Sequence, residues 1–185
     1  MTQERSNGMT QKNRIRAVLG ICVISAVAFI TALSQLSVFP YLKISGCIPD
    51  VLCAFLICSS VMYEGKVSCI LALVGGFILQ ASGCGGVSYY PLLYLAAVCF
   101  VPMLYRRIFK NGFVALGVGG LCIFTVEALI ITVAQSLNGA RLGYSLTHTF
   151  IPFVLYSMVC LVLSYLYCRL HRLIFGARRI ADIED

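Results

Sequence analysis

The chain has 185 residues, of which 60% are hydrophobic and only 11% charged, against about 25% charged in an ordinary soluble domain. With a mean hydropathy of +0.93, this much apolar surface exceeds what a soluble core of this size can hide, which excludes a soluble globular protein and points to lipid as the solvent. The net charge of +7 does not indicate nucleic acid, because the basic residues sit in the gaps between apolar runs rather than along one face.

The first apolar run, about Ala17–Phe39, follows a polar and basic stretch. It is long enough to cross roughly 30 Å of hydrocarbon at about 1.5 Å per residue. Its apolar core is longer than the roughly 7–15 residues of a secretory signal, so it is expected to be retained as a span. Ala28-x-x-x-Ala32 within it is a small-residue pair.

The second run, Ile48–Tyr63, opens on Pro49-Asp50. Proline suits a first helical turn, where its missing N–H is not needed. An acid in that turn meets the positive end of the helix dipole. An aspartate at the mouth of an apolar run needs an interfacial position or a partner. The sequence reads as the former, a helix start at the outer membrane face.

The third run, Val67–Ala81, contains Ala72-x-x-x-Gly76, a spacing that lets helices approach closely. Both runs are short for a span. Glu64 and Lys66 between them favour full crossing, since a re-entrant tip would bury both. Ser82-Gly83-Cys84-Gly85-Gly86 then reads as an outer loop with permissive backbone. It is not a phosphate loop, since no lysine follows it.

The fourth run, Val87–Tyr105, ends in Arg106-Arg107. The fifth, Gly112–Leu137, carries Glu127 near its middle. At 100° per residue Gly117, Gly120, Ala134, Gln135 and Asn138 share its side, so this stripe is expected to face protein. Helix packing, a proton- or ligand-binding carboxylate and a contact with a partner all remain open for Glu127. The sixth run is Leu146–Arg169.

Orientation follows from the arginines and lysines. With the N-terminus inside, the cytoplasmic side carries Arg5, Lys12, Arg14, Arg16, Lys66, Arg106, Arg107, Lys110, Arg169, Arg172, Arg178 and Arg179, leaving only Lys43 and Arg141 of the 14 basic residues outside. The expectation is therefore an all-α polytopic membrane protein with six transmembrane helices, the second and third short, and both ends in the cytoplasm. Residues 1–16 form a basic cytoplasmic tail, 17–175 the six-helix domain and 176–185 a second tail.

Chemistry is sparse. The ten cysteines include no C-x-x-C and lie mostly within apolar runs, where they read as small fillers. Cys47 and Cys84 fall on the same outer side, which leaves a disulfide between them open. His148 and His171 have no second histidine or carboxylate at ligand spacing. Tyr89, Tyr90, Tyr105, Tyr165 and Tyr167 cluster at segment ends, as an interfacial aromatic belt does. No H-E-x-x-H, G-x-S-x-G or carboxylate pair on one helix is present. No metal, no cofactor and no enzymatic activity are expected.

The order of these landmarks carries a resemblance. Pro49-Asp50-Val51-Leu52 opens the second run, Tyr63-Glu64-Gly65 turns it, and Gly76-Phe77-Ile78-Leu79-Gln80 closes the third. Ser82-Gly83 and Gly86, Arg106-Arg107-Ile108-Phe109 and Phe124-Thr125-Val126-Glu127-Ala128-Leu129 then follow in order. From Ile48 to Asn138 the chain resembles the bacterial rod shape-determining MreD family. It departs at Gln80-Ala81, where that family usually has an aspartate. The resemblance implies a noncatalytic plasma-membrane component of the cell-wall elongation complex. Its implied partners are an MreC-like bitopic protein and, through the complex, an MreB-like filament, a RodA-like glycosyltransferase and a penicillin-binding protein. Pro49, Asp50, Gly76, Gln80, Gly83, Gly86, Arg106, Arg107 and Glu127 become candidate partner-contact or structural residues. The other resemblance is to the substrate-binding membrane subunit of energy-coupling-factor vitamin transporters, whose architecture the MreD family is thought to share and whose coupling motif Ala28-x-x-x-Ala32 resembles.

Overall fold

A computed structural model describes residues 2–41, 48–63, 66–81, 89–109, 111–137, 139 and 142–175. Every regular element among them is helical: α1 (Thr2–Ser37), α2 (Val51–Tyr63), α3 (Lys66–Ala81), α4 (Tyr90–Arg107), α5 (Gly112–Leu137), a short α6 (Leu142–Ser145), a π-helical turn (Leu146–Phe150) and α7 (Ile151–Phe175). The all-α expectation holds. Three stretches are long and apolar enough to cross a membrane, Val18–Ser37, Gly112–Leu137 and Leu146–Ile174, while Val51–Tyr63 and Val67–Ala81 are shorter apolar helices.

The helices differ from the sequence expectation at their ends. α1 continues through the basic stretch instead of starting at the apolar run. The last helix begins before Leu146 and passes through the π-turn. That turn has a local cause, because Ser145 donates to Gln135 Oε1 at 2.5 Å and Thr149 donates to the same oxygen at 3.1 Å. One glutamine on α5 thus collects two hydroxyls, and one extra residue in the turn is a common way to re-aim a helix face.

α2 is the centre. It packs against α1, α3, α4, α5 and α7, and Leu52 through Val61 are all buried. A helix apolar on every side belongs inside a bundle, and VLCAFLICSSVMY is such a helix. At 13 residues it is about 20 Å long, shorter than the hydrocarbon layer. The outer helices are inverted, with Phe29 and Ile30 on α1 and Leu155, Val159 and Leu163 on α7 exposed. That polarity suits lipid.

Small residues set the helix spacing. A Cβ on Gly76 would lie 2.5 Å from Pro91 Cα, so α3 and the start of α4 touch backbone to backbone. On α5, Gly119 meets Val101 and Gly120 meets Leu161. The stripe on the Glu127 side of α5 does face protein at Gly120 and Gln135. Gly117 departs from it, with nothing within 4 Å of an added Cβ. Asn138 lies outside the described residues.

Candidate functional site: a carboxyl cluster at the start of α2

Ile48, Pro49 and Asp50 are non-helical and lead into α2. Asp50 is the N-cap: its Oδ1 accepts from the Cys53 backbone N–H, three residues on, at 2.8 Å. Such a cap contributes about 1 kcal/mol. Pro49 therefore precedes the cap rather than occupying the first turn. Asp50 is 1% exposed, so at this helix start its carboxyl meets protein partners rather than water.

Burial is possible because four other helices supply partners. Gln35 of α1 donates from Nε2 to Asp50 Oδ1 at 3.2 Å, and its Oε1 accepts from the Leu52 N–H at 3.0 Å. Tyr94 of α4 donates its hydroxyl to Asp50 Oδ2 at 2.6 Å. Ser157 Oγ of α7 accepts from the Asp50 N–H at 3.2 Å. Gln35, the cap and Ser157 together satisfy N–H groups that a helix start in lipid would otherwise leave bare.

The fourth helix is α5, which brings Glu127. It is 1% exposed. The carboxyl oxygens of Asp50 and Glu127 and the sulfur of Cys53 lie within 4.8 Å of one another, while Glu127 Oε2 has no hydrogen-bond partner. Two carboxyls at such range can share a proton or hold a cation between them. The expectation of no paired carboxylates was confined to single helices. This pair is 77 positions apart, from Asp50 to Glu127, and only the fold joins it.

A second polar contact lies at the other end of α2. The Tyr63 hydroxyl and His171 Nδ1 are 2.5 Å apart, and the same hydroxyl donates to the Cys168 carbonyl at 3.4 Å. The rings of Tyr63 and His171 meet edge to face, 5.6 Å between centroids. His171 is buried, so its pairing is internal.

Of the other residues singled out in the sequence, Gly76 forms the α3–α4 contact, and Gln80 is half-buried one turn further along α3. Arg106 and Arg107 are exposed in the last turn of α4, where cations complement the helix dipole. Gly83, Gly86, Cys47 and Cys84 lie outside the described residues. Sequence reasoning missed Gln35, Cys53, Tyr94 and Ser157. Gln35 and Tyr94 left a signal, a side chain with hydrogen-bonding capacity inside an apolar run; Cys53 and Ser157 left none that separates them from small fillers. No family model, curated protein or solved structure matches this chain.

Proposed function

We propose that this chain is a noncatalytic component of a bacterial plasma membrane, a six-span helical platform with both ends in the cytoplasm. On this reading it holds an MreC-like bitopic protein and, through the assembly, an MreB-like filament, a RodA-like glycosyltransferase and a penicillin-binding protein during cell-wall elongation. The supporting observation is that landmarks of the resemblance hold the helices together. Asp50 joins α1, α2 and α4 through hydrogen bonds of its carboxyl and α7 through its N–H. Glu127 adds α5 to that point, and Gly76 seats α3 on α4. Such residues suit a platform whose working surfaces are the outward helix faces and short connections.

The transporter-subunit reading is the alternative. A coupling motif must be reachable by its partner, yet Ala28 is 5% and Ala32 is 1% exposed. That burial favours the platform.

Depletion in a rod-shaped host is expected to round the cells, and affinity purification from gently solubilised membranes is expected to recover the MreC-like protein. Rods of normal shape after depletion, combined with lost vitamin uptake, would replace the platform with the transporter subunit.

A further inference from the structure

Asp50 and Cys53 stand three residues apart at the start of α2, so their side chains share a face. Glu127 reaches the same point from α5. Their donor atoms lie within 4.8 Å of one another and all three residues are buried. Around a zinc ion, with metal–oxygen distances of about 2.0–2.2 Å and metal–sulfur of about 2.3 Å, tetrahedral ligands stand roughly 3.3–3.8 Å apart. Closing the set needs about 1 Å of side-chain adjustment, within the reach of a χ rotation.

A second observation points into the same space. Glu127 Oε2 is buried without a hydrogen-bond partner, in a residue 1% exposed. An oxygen in that state is costly unless something else meets it. Asp50 is arranged differently: Oδ1 takes the Cys53 N–H and the Gln35 amide, Oδ2 takes the Tyr94 hydroxyl, and the carboxyl also stands within hydrogen-bonding reach of Glu127. Gln35 and Tyr94 hold that carboxyl in orientation, as outer-shell groups do around metal ligands. Neither partner carries positive charge, so the two acids have no cation in these bonds.

We infer that Asp50, Cys53 and Glu127 form a binding site for a divalent transition-metal ion of borderline softness, zinc(II) being the type case. The sulfur selects against magnesium and calcium, which take oxygen ligands. The Cys53 thiolate and one carboxylate balance the ion's charge, the other carboxyl keeping its proton and binding through its carbonyl oxygen, and the thiol proton leaves as the metal–sulfur bond forms. The bound ion ties the start of α2 to α5. This goes beyond the platform reading and does not depend on it.

The test uses the full chain in detergent micelles, stripped with a chelator and titrated with cobalt(II) as an optical probe. One saturable equivalent is expected, with a near-ultraviolet sulfur-to-cobalt band that zinc(II) bleaches. Glu127→Gln weakens binding at least about tenfold, Cys53→Ser removes the band, and Cys22→Ser, at an exposed thiol, leaves both unchanged. X-ray absorption of the zinc-loaded unmodified chain is expected to give one sulfur among oxygen neighbours, a reading that needs no variant to fold. Lack of saturable uptake, a shell of several sulfurs, or a band that survives Cys53→Ser overturns the site. So does an infrared carboxylic-acid band that Glu127→Gln removes and zinc does not move, because the pair then holds only a proton.

Discussion

The two ends of α2 solve the same problem with different chemistry. At its start, Asp50 gathers a backbone N–H, an amide and a phenol on one carboxyl, and Glu127 stands beside it. At its finish, Tyr63 meets His171 and a carbonyl of the same helix, α7. The first contact involves five helices and two acids; the second involves two helices and no acid. A helix buried among others has both ends to satisfy away from water, and the N–H groups of its start demand acceptors. A carboxyl is the densest acceptor among side chains, so the start of α2 is where an acid is worth burying. This makes one end a many-helix junction and the other a local clasp.

That contrast can be broken by substitution. Asp50→Ala is expected to have the largest effect. It leaves three donors unmet at about 1 kcal/mol or more each, on the order of 3 kcal/mol in all. Thermal unfolding in micelles should show this as a large drop in midpoint. Asp50→Asn sharpens the reading, since it keeps an acceptor for the Cys53 N–H and should fall between Ala and the parent.

Gly76→Ala comes next. Its Cβ would stand 2.5 Å from Pro91 Cα, so backbone must move, at a cost of about 1–3 kcal/mol. A loss well below 1 kcal/mol would mean that α3 and α4 part easily.

Tyr63→Phe removes the hydroxyl from the clasp and is expected to cost about 0.5–1.5 kcal/mol. If it costs as much as Asp50→Ala in the same unfolding assay, the two ends are equivalent and the comparison fails. Gly117→Ala is the smallest case. Nothing lies within 4 Å of its added Cβ, so helix propensity alone should act, stabilising by up to about 1 kcal/mol. A destabilised Gly117→Ala would mean that this face of α5 packs against something in the membrane.

Much of the fold was legible along the chain because it depends on local pattern. Gly112–Leu137 coincides with α5, and the expected Val67–Ala81 run lies within α3. Apolar runs carry their own length, and glycine beside a small residue announces close approach, as at Gly76. Asp50 was visible as a costly acid, yet the partners that meet it were not. The reason is physical: whether an acid is satisfied depends on partners from other helices, and the donors Gln35 and Tyr94 lie 15 and 44 positions away, while Ser157, which accepts from the Asp50 N–H, lies 107 away.

The sequence by itself determined that this is an all-helical chain built for an apolar solvent, because hydropathy and helix period are properties of neighbouring residues. It also singled out Asp50 and Glu127, since a carboxyl in an apolar run is conspicuous wherever it goes. Only the tertiary structure decided that the two acids are one feature. Bringing α2 and α5 together is a matter of helix packing: Gly119 seats α5 on α4 at Val101 and Gly120 seats it on α7 at Leu161, and both of those helices pack on the wholly buried α2, so no local pattern encodes which faces meet.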